Sequence, residues 1–380
     1  MPDPRFYHAD CRHFRGDIPC APNKREGMHC DGCPYYDPIV ENILIIKLGA
    51  AGDVLRTTPI LHPVKQQHPK ARIWWLTLSP ELVPKSWVDR ILKWSPEALE
   101  TLHALEFSRI INLDKDTYAC ALASRLNAKV KDGFVLGKYG EAEPANENAR
   151  HKFITGIFDD ISVDNRKDYF NELFEICGYE YRGEQYIIDA PEKIDFPGLD
   201  TSKPVVGLNT GAGARWTSRL WSTENWTKLV EMILSSGRNV LLLGGPDEDE
   251  RNKEIHNATK GRAQYLGYYK LREFIALMNE CDSIVTGVTM GMHIAIALKK
   301  KLVLLNNIFN PYEFSDLFGL GEIVQPDKRC MCYFRGQCVN PDYFCLDHMS
   351  PEKVFASLER VSSGHYAQQP LESPGLILKA

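Results

Sequence analysis

No run of about 18 apolar residues, the length that a bilayer-crossing helix needs, occurs in the 380-residue chain. Its opening stretch, MPDPRFYHADCRHF, lacks the apolar core of a secretory leader. A cytoplasmic location is therefore the expectation, with any membrane contact peripheral. Positive charge is not in excess either: 45 Lys and Arg stand against 50 Asp and Glu, a net charge of −5. No overall field gathers nucleic acid, and no nucleic-acid partner is expected. Charged residues make up 25% and hydrophobic residues 44%, the balance of a soluble globular protein long enough for two cored domains. Cysteine is the exception to this ordinary composition, with eleven in the chain.

The stretch ILIIKLGAAGDVLRTTP at 43–59 organises the rest. Its first four residues, apolar and mostly β-branched, predict a buried strand. Gly49 and Gly52 follow, then Asp53 and an apolar-periodic segment, so the unit reads as strand, glycine turn, helix. Ligands of open α/β sheets bind at the carboxyl ends of strands, where such a turn lies. Glycines let backbone approach a ligand, and a carboxylate at that mouth is a candidate general base. Asp53 as the N-cap of the helix is the alternative. The turn departs from GxGxxG, so no dinucleotide fingerprint is assigned.

Strands are predicted at 71–76, 109–113 and 132–136, and helices at 80–99, with a broken start, at 117–126 and at 168–177. Residues 137–150 read as a polar loop, and the proline-bearing stretch 191–204 as a linker. A second series follows. Strands are predicted at 205–208, 239–243, 283–286 and 301–306, each running into a glycine-containing turn or a helix. Helices are predicted at 227–235, with Ser222 or Thr223 as cap, at 269–279 and from 293. Strands alternating with helices predict parallel sheets. The expected division is a Cys-rich segment at 1–40, one α/β domain at 41–195, another at 204–349, and a final helix and tail at 350–380. The tail, lacking any period, is expected to be loosely held.

Cys11, Cys20, Cys30 and Cys33 crowd the start, and Cys330, Cys332, Cys338 and Cys345 crowd one late segment. Residues 1–40 have too little apolar content to build a core and need a staple. Four thiolates suit tetrahedral zinc, and an iron–sulfur cluster uses the same inventory. His8, His13 and His29 are substitute ligands in the first group. Free thiols are the alternative, whereas disulfides rarely persist in a reducing compartment. Both sets are expected to be structural. Cys120, Cys177 and Cys281 read as small core hydrophobes.

Taken in order, LGAAGDVLRTTP, TGAGARWTSRLW, LLGGPDEDER and VTMGMHIAIAL resemble the motifs of glycosyltransferase family 9, known for ADP-heptose:lipopolysaccharide heptosyltransferases. The resemblance spans about residues 41–305, with a weaker trace to 360. It implies a GT-B fold, in which two Rossmann-like domains face a cleft, the first for the acceptor and the second for the nucleotide sugar. It also implies a final helix that returns to the first domain, and inverting transfer without a catalytic metal. By position, Asp53 matches the family's base. Thr210, Gly211 and Ala212 match the turn near the diphosphate, and Arg219 stands where a lysine is usual. Glu248 matches an acid near the nucleoside, while Thr289 and His293 match the DTGxxH motif. The aspartate of that motif is Val288 here and its glycine is Met290, with Gly291 in the next slot. The carboxylate that would contact sugar hydroxyls is thus absent.

Glycosyl transfer needs a base for the acceptor hydroxyl and groups that hold the departing diphosphate, with an oxocarbenium-like transition state by analogy with glycoside hydrolysis. Asp53 fills the first role, and Arg219 with the helix starts near 210 and 289 fills the second. Each has a plainer alternative. Arg219 would be a solvated arginine, His293 a satisfied buried histidine, and Glu248 part of an acidic helix start. The expected function is transfer of a sugar such as heptose, from a donor such as ADP-heptose, to a cell-envelope glycan such as lipopolysaccharide core. A protein acceptor, or a non-catalytic nucleotide-sugar or metal-sensing module, stays open beside it.

Overall fold

A computed structural model describes residues 5–213, 215–314, 317–365 and 370–377. The chain divides into two compact units. The first holds residues 1–49, 57–150 and 175–179, and the second holds 50–56, 151–174 and 180–380. No helix among the described residues is long and apolar enough to cross a membrane.

In the first unit, six strands form one sheet: β1 (Glu41–Ile46), β2 (Ala71–Thr77), β3 (Arg90–Lys93), β4 (Phe107–Asn112), β5 (Ala128–Leu136) and β6 (Ala142–Pro144). Their order is β3-β2-β1-β4-β5-β6, parallel except for the antiparallel β5–β6 pair. β1 lies between β2 and β4, with Ile43 opposite both Ile73 and Arg109. That central place is why Ile43–Ile46 is a continuous apolar run with no exposure. Leu44, Ile46, Leu76, Leu102, Phe107, Ile110 and Leu122 close the core over the sheet.

The expected helix at 80–99 is not formed. Arg90–Lys93 pairs instead with Trp74–Thr77 as the edge strand β3. The helix is confined to Pro96–His103, where Ser95 Oγ accepts Ala98 N–H at 3.2 Å. The short RILK run pairs on one side only, so its alternation was too brief to separate from a helical period. The polar stretch 137–150 also differs from a plain loop, since Ala142–Pro144 returns along β5 as a hairpin.

The second unit carries β7 (Val205–Asn209), β8 (Asn239–Leu243), β9 (Ala263–Gln264), β10 (Ser283–Gly287), β11 (Lys301–Leu305) and β12 (Gly321–Val324). They are ordered β12-β11-β10-β7-β8-β9, with every pair parallel. Counted from its own first strand, each sheet has the same order, 3-2-1-4-5-6, that of the doubly wound dinucleotide fold. The Thr223–Ser235 helix is capped by Ser222 Oγ, which accepts Asn225 N–H at 3.1 Å. The final helix, Pro351–Ser363, starts at the Ser350 cap and stops at Gly364, whose φ is 74°. It packs on β11, β12 and the Thr223–Ser235 helix of its own unit. There the buried Glu322 carboxylate accepts from Ser357 Oγ at 2.8 Å and from Arg360 Nη2 at 2.7 Å.

The tail is partly held. Gly375 N–H donates to Cys330 O at 2.7 Å, Leu376 bridges to Cys332, and Ser373 is buried. Residues 366–369 and 378–380 lie outside the described residues.

Candidate active site

Asp53 is the third residue of the Ala51–Arg56 helix, not its N-cap. It is half-buried, and its carboxylate accepts no hydrogen bond from the described residues. The helix groups with the second unit and packs on the Met290–Ala297 helix. The reason lies at Gly52. A Cβ there would stand 2.6 Å from His293 Cδ2 and 3.3 Å from Met290 Cα. The space left by the missing side chain is therefore taken by the histidine ring, not kept for a ligand. Gly49 differs, since a Cβ there would meet nothing within 4 Å. Its N–H and that of Leu48 donate to Asp114 Oδ2 at 3.2 and 3.0 Å within the first unit.

Three residues beyond Asp53, Arg56 is buried. Its Nη2 donates to Glu313 O at 2.8 Å, and its guanidinium lies 3.6 Å over the Tyr169 ring. Nη1 is 3.7 Å from Glu313 Oε2. Tyr186 OH and His293 Nδ1 are 2.9 Å apart. Burial, followed by the charge of Arg56, holds His293 well below its ordinary pKa and keeps it neutral. Burial, followed by the charge of Asp53, pushes the Tyr169 phenol well up. The sequence analysis missed Arg56, Tyr169 and Tyr186. An arginine directly after the apolar pair Val54 and Leu55 was the available signal for the first.

The Met290–Ala297 helix leads to the second group. Thr289 Oγ1 caps it by accepting Gly291 N–H at 3.2 Å. Asn209, at the carboxyl end of β7, donates to Thr286 Oγ1 and Thr289 Oγ1, both at 2.9 Å. Gly291 makes room for it, since a Cβ there would lie 2.7 Å from Asn209 Nδ2. Thr210 Oγ1 donates to Asn252 Oδ1 at 2.6 Å. Glu248 lies against the next residue, so that a Cβ on Gly211 would be 1.9 Å from Glu248 Oε1. The other carboxylate oxygen of Glu248 accepts Gly245 N–H at 2.9 Å.

Arg219 ties these turns together. Its Nη2 donates to Ala212 O at 2.9 Å, and its Nη1 donates to Val288 O. Trp216 and Phe309 lie 5.0 and 5.1 Å from the guanidinium. Burial draws it down to about 10 with no acid opposing the shift, and Nε has no hydrogen-bond partner among the described residues. Trp221 and Trp226 pack instead, edge to face at 5.0 Å. The second unit thus gathers Asp53, Thr210, Gly211, Ala212, Arg219, Glu248, Thr289, Gly291 and His293, while Gly49 belongs to the first.

Eight of the eleven cysteines fall in two groups, one in each unit, and all eleven are free thiols. Cys11, Cys20, Cys30 and Cys33 line one small cavity. In the late segment, Cys332 and Cys338 Sγ are 3.7 Å apart, and Asn307 Nδ2 donates to Cys345 Sγ at 3.4 Å. A hydrogen bond from Cys330 draws the Cys345 thiol down to about 7. Among the described residues, no three His, Cys, Asp or Glu side chains stand arranged to hold a metal ion. Burial pushes the Cys120 and Cys281 thiols up, to about 11 and about 12, which suits inert packing.

Residues 97–343 match the family model of glycosyltransferase family 9 (heptosyltransferase). The chain is 22% identical over 234 residues to lipopolysaccharide heptosyltransferase 1 of Escherichia coli K12, covering 56% of this chain and 71% of that one. Its fold is similar to that of a family 9 glycosyl transferase from Veillonella parvula, with TM-score 0.63, 15% identity, and coverage of 86% and 98%. It is also similar to the ADP-heptose lipopolysaccharide heptosyltransferase II of E. coli, with TM-score 0.61, 16% identity, and coverage of 85% and 98%.

Proposed function

Because the chain belongs to glycosyltransferase family 9 and has a GT-B fold, we propose that it moves a sugar from a nucleotide diphosphate donor to a cell-envelope glycan, with inversion at the transferred carbon. The relatives carry the names of lipopolysaccharide heptosyltransferases, so ADP-heptose is the first donor to test and lipopolysaccharide core the first acceptor. The acceptor hydroxyl loses its proton to Asp53 as its oxygen bonds to the anomeric carbon, and the bond from that carbon to the diphosphate oxygen breaks. The electron pair leaves with the nucleotide.

One observation carries this reading. A half-buried carboxylate, accepting no hydrogen bond from the described residues, rides on a helix packed against the helix that Thr289 caps, in the same unit as a half-buried arginine that no acid opposes. Arg219, Thr210 and the N-terminus of Met290–Ala297 would take the charge that develops on the leaving diphosphate. Glu248 would hold a ribose hydroxyl. His293, kept neutral, would fix the acid-bearing helix through its contact with Gly52. The first unit would hold the acceptor, met by peripheral contact at the inner face of the membrane.

The test uses purified protein, ADP-heptose and a heptose-deficient core acceptor. Asp53→Asn should lower kcat by about 10²–10⁴-fold while leaving donor affinity unchanged. Arg219→Ala should cost about 10²–10³-fold, with lysine restoring part of the loss. If no nucleotide sugar raises the melting temperature, the donor assignment fails. Val288, standing where the family has an acid, favours one rival, a binding module without turnover. Donor binding with no transfer or hydrolysis in the wild-type chain would establish that rival.

The late cysteines are assigned a structural role in the same reading. Two thiolates on one tetrahedral zinc at about 2.3 Å sit roughly 3.8 Å apart, near the 3.7 Å between Cys332 and Cys338. A zinc or iron ion there would brace the loop, and no step of the transfer passes through it.

A further inference from the structure

Residues 5–40 pose a folding problem. Only Cys11 and Pro22 are buried among them, yet the segment forms a six-residue helix, Ala21–Glu26, and a series of hydrogen-bonded turns. So little apolar burial cannot offset the entropy of ordering the backbone, at about 1–2 kcal/mol per residue.

What the segment encloses is sulfur. Cys11, Cys20, Cys30 and Cys33 line a single cavity of about 30 Å³, walled by Phe14, Tyr35 and Tyr36. No two of these cysteines are bonded. Cys30 and Cys33 stand at the ends of a tight turn in which Cys33 N–H donates to Cys30 O at 3.2 Å and Gly32 takes φ 72°. The turn brings two thiols to the same side, as metal-binding knuckles require.

We propose that Cys11, Cys20, Cys30 and Cys33 form a structural zinc site that folds residues 5–40. Four thiolates satisfy a tetrahedral ion without further ligands. The cavity is lined by all four thiols, the ligand set of a single tetrahedral ion. His8, which also lines it, is stacked on Tyr36 at 3.9 Å and stands 3.7 Å from Asp10. The thiols do not yet meet at a common point, so the ion draws them inward, each about its single side-chain torsion. The folded segment is fastened to the first unit by Arg12, which pairs with Asp37 at 2.8 Å and Asp89 at 2.7 Å and donates to Ala71 O at 3.0 Å.

The full-length chain, purified under reducing conditions with zinc in the growth medium, is assayed by elemental mass spectrometry. The double variant Cys30→Ser/Cys33→Ser should lose about one zinc per chain relative to wild type. Cys332→Ser/Cys338→Ser should keep that equivalent. Equal zinc in wild type and the first double variant overturns the proposal. So does an intact mass showing disulfides among these four cysteines, or iron with sulfide in place of zinc. Wild-type protein supplies a second readout that needs no variant. Zinc should shield the four thiols from a maleimide, and a chelator should release all four together with the amide protection of residues 10–40. Labelling that is unchanged by the chelator also overturns the site. Neither measurement reads glycosyl transfer, so the zinc site and the transferase reading stand or fall separately.

Discussion

Replacing Gly52 by alanine puts a methyl group 2.6 Å from His293 Cδ2. The ring cannot retreat without losing Tyr186, so the variant should be about 1–3 kcal/mol less stable in urea denaturation. Gly49→Ala has open space and should change stability by less than about 0.5 kcal/mol. His293 adds a pH dependence whose sign follows from its burial. Folded, it is held neutral well below the ordinary value. Unfolded, it takes up a proton below about pH 6.5. Its contribution is therefore complete above that pH and lost progressively as pH falls, by up to about 1.4 kcal/mol per pH unit. Urea midpoints from pH 8 to pH 5 should fall more steeply for wild type than for His293→Gln. At this scale the motifs made Asp53, Arg219, Thr289 and His293 legible as candidates. Arg56 was not, because its carbonyl acceptor on Glu313 lies 257 positions away.

Elements act through what stands behind them. The Thr217–Arg219 turn is held by the loop that carries the late cysteines. Ser218 N–H donates to Gly336 O at 3.0 Å, and its hydroxyl donates to Arg335 O at 2.5 Å. Asn307 Nδ2 reaches both Ser218 O at 2.8 Å and Cys345 Sγ at 3.4 Å. Asn307→Ala should leave the buried carbonyl unpaired at a cost of about 1–3 kcal/mol. It should also weaken donor binding about tenfold, equal to about 1.4 kcal/mol, by loosening Arg219. Calorimetric titration with the nucleotide checks this, and an unchanged dissociation constant would separate the loop from the site. Continuous apolar runs such as Asn239–Leu243 were readable because local pattern decides them. The strand Arg90–Lys93 and the helix Asp159–Asp164 were not. One depends on a neighbouring strand, and in the other Ile161 is exposed, which blurs the apolar face.

For the whole molecule, the repeated strand order was foreshadowed by the recurring strand, glycine turn and helix in both halves. The grouping of distant segments was not. Asn310 Nδ2 donates to Ser162 O at 2.8 Å and Asn165 O at 2.7 Å, and Ser162 Oγ meets Tyr333 OH at 2.6 Å. The helix bearing Asp53 joins the same unit. A fragment starting at Pro204 lacks both pieces. It should show strand and helix by far-ultraviolet dichroism but weak near-ultraviolet signal and dye binding, the signature of lost side-chain packing. A sharp, cooperative thermal transition in that fragment would count against the grouping.

The allotment of Ala50–Arg56 to the second unit also bears on engineering. In the proposed mechanism, the spacing between proton acceptor and departing phosphate would be internal to one half of the protein. Chimeras that exchange residues 57–150 with those of a relative should therefore alter which molecule is decorated while leaving the reaction itself intact.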